Sequence, residues 1–201
     1  MGNARYIGRI GSLAVALGIG AGLAATPWAA SAKPSDSDSA KSPPGQNVSI
    51  SVNGVVRKDS PTTEATTTIG EHSRAVARGA GSTADATNCN RCTATATGTG
   101  STARTNGGTG NKATVKGDNS TATAGDGNNN TATVHGDNSL AFATFGDNNT
   151  ATVQGDTSTA SAGTGNCNTA TVHGDDSSAT AGPGNCNTAT AIGDNVDVSM
   201  P

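Results

Sequence analysis

Few of the residues that build ordinary protein cores are present. Leu, Ile, Val and Phe together supply 24 of 201 residues, and aromatics make up only 2%. Composition of that kind cannot furnish a bulky apolar core and by itself points toward disorder. Charge is scarce as well: 12 Lys and Arg stand against 15 Asp and Glu, a formal net charge of -3. Disordered chains usually carry more net charge than this. Scattered cations exclude a basic nucleic-acid surface, so no nucleic-acid partner is expected. Catalytic signatures are missing too, with no nucleophile-elbow sequence, no phosphate-cradling loop and no carboxylate pair set apart from the turns. Neither an enzyme nor a cofactor is expected. Glycine (28 residues), alanine, threonine and asparagine fill the chain instead.

The first 32 residues are a different kind of sequence. Arg5 and Arg9 make a positive start, Ile10 to Ala25 is an uncharged apolar run, and Ala30-Ser31-Ala32 offers small residues for cleavage before Lys33. That order predicts a signal peptide over 1–32. The run is short for a membrane span. No stable span is expected after cleavage, and the mature protein is expected to be secreted or held in the cell envelope or at its surface. Arg5-Tyr6-Ile7-Gly8-Arg9-Ile10-Gly11, followed by Leu13-Ala14-Val15-Ala16-Leu17-Gly18, resembles the leaders of mycobacterial exported Gly/Ala-rich proteins. The resemblance implies a high-GC actinobacterial source. Residues 33–46 show no periodicity and read as a flexible linker. Within 47–59, Val48-Ser49-Ile50-Ser51-Val52 alternates apolar and polar residues, runs into Asn53-Gly54 and returns through Val55-Val56. Such a pattern predicts a β-hairpin, here a cap on the chain beyond residue 59.

The remainder, 60–201, is a repeat. Glycines at 79, 98, 117, 136, 155, 174 and 193 are each 19 residues apart, and Ser60 to Arg78 is a weaker copy. Numbering each unit from its glycine, position four is serine and position six alanine in most units. In the second half, position fourteen is Asn111, Asn130, Asn149, Asn168 and Asn187; position sixteen is alanine and position eighteen is mostly valine. Within each half these columns lie two apart, the period of a strand, so they share one face. Alanine and valine make that face the inner one. The predicted fold is all-β, a parallel β-solenoid of about seven coils with two thin sheets and Gly-Asp turns. Coils stacked at ~4.8 Å give a rod of roughly 34 Å. Burying alanine gives little, so the buried Asn and Ser columns are expected to bond to their own copies above and below, as in cross-β ladders.

Gly127-Asn128-Asn129-Asn130-Thr131-Ala132, Gly165-Asn166-Cys167-Asn168-Thr169-Ala170 and Gly184-Asn185-Cys186-Asn187-Thr188-Ala189 follow a Gly-x-x-Asn-x-Ala pattern. This half-repeat resembles curlin-type repeats, which build functional amyloid fibres. Curlin repeats carry glutamine ladders, whereas Gln154 is the only glutamine in these units. The resemblance implies surface assembly. A second one concerns the outer face: Thr131, Thr133, Thr150, Thr152, Thr169, Thr171, Thr188 and Thr190 form a Thr-x-Thr array, interrupted earlier by Lys112. The array is similar to the ice-binding face of solenoidal antifreeze proteins. Threonine is also simply a good exposed strand residue.

Other columns offer candidate sites. In an exported chain, four cysteines predict disulfides. Cys167 and Cys186 sit at the same position of adjacent coils, within the Cα range of a bridge, and Cys89 with Cys92 can close a local one. The two pairs lie four coils apart, so no zinc site of four thiolates is expected. Asp118, Asp137, Asp156, Asp175 and Asp194 stack in successive turns and read as solvated turn residues rather than calcium ligands. His135 and His173 are two coils apart with Gln154 between them and make no metal site. Leu140, Phe142 and Phe145 break the outer pattern and form a candidate contact patch for a partner or a second copy. Asp194 to Pro201, with two aspartates and a final proline, reads as a deterrent to endless stacking. The function expected first is a structural or adhesive surface module capable of self-association. An ice- or glycan-binding threonine face comes second, and a disordered low-complexity surface protein third.

Overall fold

The computed structural model describes residues 40–41, 47–68 and 71–201. The expected signal peptide and most of the expected linker fall outside the described residues. Before the repeats come β1 (Ala40–Lys41), β2 (Val48–Val52) and β3 (Val55–Asp59). The repeat strands then run in pairs, one pair per coil: β4 (Glu64–Thr67) and β5 (Arg74–Arg78), β6 (Thr83–Thr87) and β7 (Thr93–Thr97), β8 (Thr102–Asn106) and β9 (Lys112–Lys116). Next are β10 (Thr121–Gly125) and β11 (Thr131–His135), then β12 (Leu140–Thr144) and β13 (Thr150–Gln154). The last coils hold β14 (Thr159–Gly163) and β15 (Thr169–His173), then β16 (Ser178–Ala181) and β17 (Thr188–Ile192), before β18 (Asp197–Met200). No helix occurs among the described residues.

A parallel β-solenoid of about seven 19-residue coils results. The odd strands from β5 onward stack into a ten-stranded sheet whose first members are β1, β3 and β2, and the even strands from β4 to β18 form an eight-stranded sheet. Register is 19 throughout: Ala122 faces Ala141, and Ala132 faces Ala151. In most repeat strands alanine or valine alternates with outward polar residues, chiefly threonine, so the inner face is alanine and valine. The inner face buries Ala and Val columns completely, among them Ala132, Val134, Ala151 and Val153. A disordered chain is ruled out for these coils. Each buried methyl contributes only about 0.8 kcal/mol, but the chain satisfies its polar groups in the same act.

Asparagine is central to that. Asn149 is fully buried. Its backbone N–H donates to Asn130 Oδ1 (2.9 Å), while its own Oδ1 accepts from the backbone N–H of Asn168 (2.9 Å). Its Nδ2 donates to the Gly165 carbonyl at 2.8 Å. Serine does the same at the other corner: Ser158 Oγ donates to the Gly174 carbonyl (2.8 Å) and accepts from Ser177 N–H (3.1 Å). The expected side-chain-to-side-chain ladder is therefore replaced by a side-chain-to-backbone one. At the corners the strand ladder is interrupted, and a buried backbone N–H or carbonyl left alone there costs more than an amide facing its own copy gains.

Corners also need a left-handed backbone. Positive φ recurs at Asn119, Asn138 and Asn195, and at Asn129 and Asn148, where asparagine tolerates it. At the leading glycine a second constraint operates: a Cβ on Gly155 (φ 149°) would lie 2.0 Å from the Gly174 carbonyl oxygen. At the first coil, β2 runs antiparallel to β5, and β3 antiparallel to β2 after the Asn53-Gly54 turn. Ser49 and Ser51 reach across this cap to Thr63 and Thr67, at 2.7 Å each. Ala40–Lys41, inside the expected linker, pairs with the otherwise open edge of β3.

Two substitutions test this account by chemical unfolding. Asn149→Ala strands the Asn168 N–H and the Gly165 carbonyl and is expected to cost about 3 kcal/mol. Thr105 presents a hydroxyl to the core with no partner. Thr105→Val is expected to stabilise the protein by about 1 kcal/mol.

Candidate functional site

The outer face of the ten-stranded sheet carries the threonine array. Thr131, Thr150, Thr169 and Thr188 lie in register in one file, and Thr133, Thr152, Thr171 and Thr190 in the next. Thr93, Thr95 and Thr114 extend the two files backwards, with Lys112 as the one break among these rungs. The lattice is ~4.8 Å along the rod and roughly 6.6 Å along each strand. Except at the last rung, the threonines are half-buried by one another, which holds methyls and hydroxyls in a fixed pattern. A third outward file holds Lys116, His135, Gln154, His173 and Ile192. Gln154 keeps the two histidines apart.

The eight-stranded sheet looks different from outside. Its corresponding files run through Thr102, Thr121, Leu140 and Thr159, and through Asp85, Arg104, Thr123, Phe142 and Ser161. Asp85 and Arg104 make an ion pair at 3.5 Å. Beyond them, Phe142 and Phe145 stand beside a cavity of about 340 Å³ that climbs the next two coils. Phe145 sits in the turn after β12 with φ 58° and is 65% exposed. Leu140 belongs to the same strand but does not line this cavity. The repeat pattern did not reveal the cavity. Its floor depends on Gly163 and Gly182, which the 19-residue columns show only as missing side chains.

Cysteines divide into two cases. Cys89 and Cys92 are buried and disulfide-bonded, with Cα atoms 5.8 Å apart. This bridge ends the asparagine column, since Asn111 N–H donates to Cys92 Sγ at 3.2 Å. Cys167 and Cys186 are free and exposed. The bridge expected between them is not formed. Copies stacked in register keep their Cα–Cβ bonds parallel, so their Cβ atoms stay about one rung apart, ~4.8 Å, beyond the roughly 3.5–4.5 Å that a disulfide takes. Instead, a hydrogen bond with Cys186 raises the Cys167 pKa above its usual value, and the charge of Cys186, desolvation and Asp147 push the same way.

The turn aspartates have backbone partners. Asp156 Oδ1 accepts from Asp137 N–H at 2.7 Å, and Asp175 Oδ1 from Asp156 N–H at 2.8 Å. Each carboxylate thus closes a backbone gap between coils, which gives the column a role without a cation. Among the described residues, no group of three or more His, Cys, Asp or Glu side chains could hold a metal ion. No described helix is long and apolar enough to cross a membrane.

Thiol titration of the native protein is expected to find Cys167 and Cys186 reactive, and Cys89 and Cys92 only after reduction. Cys186→Asn, which copies Asn148 of the column, lowers the Cys167 pKa by removing its partner. Faster alkylation of Cys167 at fixed mildly alkaline pH is the expected result. Comparison with known proteins finds no matching family model, no matching curated protein and no matching solved structure, so the functional reading rests on this geometry.

Proposed function

We propose that the chain is an exported, non-enzymatic surface module that adheres to a repeating, uncharged surface through its threonine sheet. One observation carries the reading: from β7 to β17 threonine fills both outer files of one sheet with Lys112 the one break, while on the other sheet only the first file is mostly threonine and the second runs through Asp85, Arg104, Thr123, Phe142 and Ser161. Strand propensity acts equally on both sheets and cannot produce that difference. A fixed lattice of methyls and hydroxyls suits a partner with its own period, an insoluble glycan or an ice surface. The leader over residues 1–32 supports export. Fibre growth by end stacking is less favoured, because β3 runs antiparallel to its neighbour β2 and is itself covered by β1.

Thr133→Lys combined with Thr152→Lys places two ammonium groups in the middle of the lattice without touching the core. The protein is expected to adsorb to an insoluble polysaccharide or to a growing ice front, and the double variant to lose that adsorption while keeping its circular dichroism spectrum. Pull-down on insoluble polysaccharides and thermal hysteresis separate the two chemistries. Equal behaviour of protein and variant in both assays removes the reading.

A further inference from the structure

Phe145 occupies a turn position whose backbone is left-handed in five successive coils: Asn88, Gly107, Asp126 and Thr164 share its column with positive φ, and Pro183 in the next coil departs from it. Asn, Asp and Gly suit such a backbone, whereas a bulky side chain there is an outlier. Nor does folding repay the strain with burial, since Phe145 remains 65% exposed. Residues kept in an unfavourable backbone without a packing return are characteristic of functional sites. Phe142, three residues earlier, interrupts an outer file in which Thr123 and Ser161 are its neighbours. These are the only two phenylalanines in the chain, and both line the same cavity.

Ahead of the rings the cavity is shaped by what is missing. Gly163 succeeds Thr144 in register. A Cβ on it would meet the Thr144 carbonyl oxygen at 2.6 Å, and one on Gly182 would meet the Gly163 carbonyl oxygen at 2.0 Å. Close backbone approach thus enforces a side-chain-free floor over two successive coils. Ser161 and Thr180 flank the cavity in one file, and Thr164 lines it from the turn. No charged residue lines the cavity, although Asp85 and Arg104 lie on the same sheet a few coils earlier.

From this geometry we infer that the groove is a binding site for a neutral saccharide, with one sugar ring stacked on the phenyl pair and the chain running along the glycine floor. An aromatic platform meets the C–H face of a sugar, and hydroxyls along the groove meet its equatorial oxygens. A trough over three coils spans roughly 10 Å. The absence of charge complements a neutral polyol and disfavours an acidic or basic ligand. This site lies on the sheet opposite the threonine lattice and does not depend on that lattice's function.

The test uses the intact protein with soluble short gluco-, manno- and galacto-oligosaccharides, read by saturation-transfer NMR and by shifts of the two phenylalanine ring systems. One of these sugars is expected to saturate from the protein and to move both rings. Phe145→Asn restores the residue of the equivalent Asn88 turn, so it should raise the thermal midpoint while weakening binding about tenfold, the weight of one ring's stacking. Phe142→Thr should weaken binding similarly, and Thr133→Lys with Thr152→Lys should leave it unchanged. Any of four results overturns the site: no saccharide response, binding indifferent to both phenylalanine substitutions, binding lost in the threonine variant, or tighter binding of an uncharged proline-rich peptide than of any sugar. A failure of adsorption by the threonine sheet leaves this measurement untouched.

Discussion

From Asn111 to Asn187 a buried carboxamide joins each coil to the next, and the rest of the molecule is arranged to permit it. The oxygen of Asn130 takes the N–H of Asn149, and the Asn130 amide nitrogen closes the Gly146 carbonyl. With a core of methyl groups, the hydrophobic contribution per coil is small. Satisfying every corner group is then decisive, because an orphaned buried donor costs more than an alanine methyl contributes. Glycine at the corner stems from the same demand. Only without a Cβ can Gly117 lie against the Gly136 carbonyl, and only then does the stack close tightly enough for the carboxamide to reach.

Such a scaffold separates stability from surface chemistry. Inner columns and corners are committed to stacking, while the outer files are free to vary. On the eight-stranded sheet the second file varies, through an ion pair, hydroxyls and the ring of Phe142, with Phe145 in the turn beside it. On the ten-stranded sheet the third file varies, from Lys116 to Ile192, but the two threonine files scarcely do. Free positions that remain uniform need a cause outside folding, and the threonine lattice is the feature of the surface with that property. The phenyl pair is its counterpart, a local departure in which Phe145 takes a left-handed backbone that the Asn88, Gly107 and Asp126 of its column suit better.

Much of this was legible in the chain. A period of 19 held by seven glycines could only mean stacked coils, and alternation of Thr with Ala assigned outer and inner faces. Val48 to Val56 announced its hairpin through Asn53-Gly54. Three things were not legible. Asn columns announced burial but not their partners, since whether an amide faces its copy or the backbone depends on where the corner interrupts the ladder. Cys167 and Cys186 satisfied a Cα criterion, yet parallel Cα–Cβ bonds keep them apart. The groove beside Phe145 crosses three coils and joins residues from different columns, with Gly163 and Gly182 on its floor.

By itself, then, the sequence determined the period, the two faces and the threonine array, because each is a property of spacing along the chain. Tertiary structure alone decided which carbonyl each buried amide closes, which cysteines bond and where the surface is hollow. Those depend on distances between coils and on the direction of side chains at a corner. Linear spacing does not encode them, because residues at equal separation can be turned toward or away from one another by a single left-handed residue.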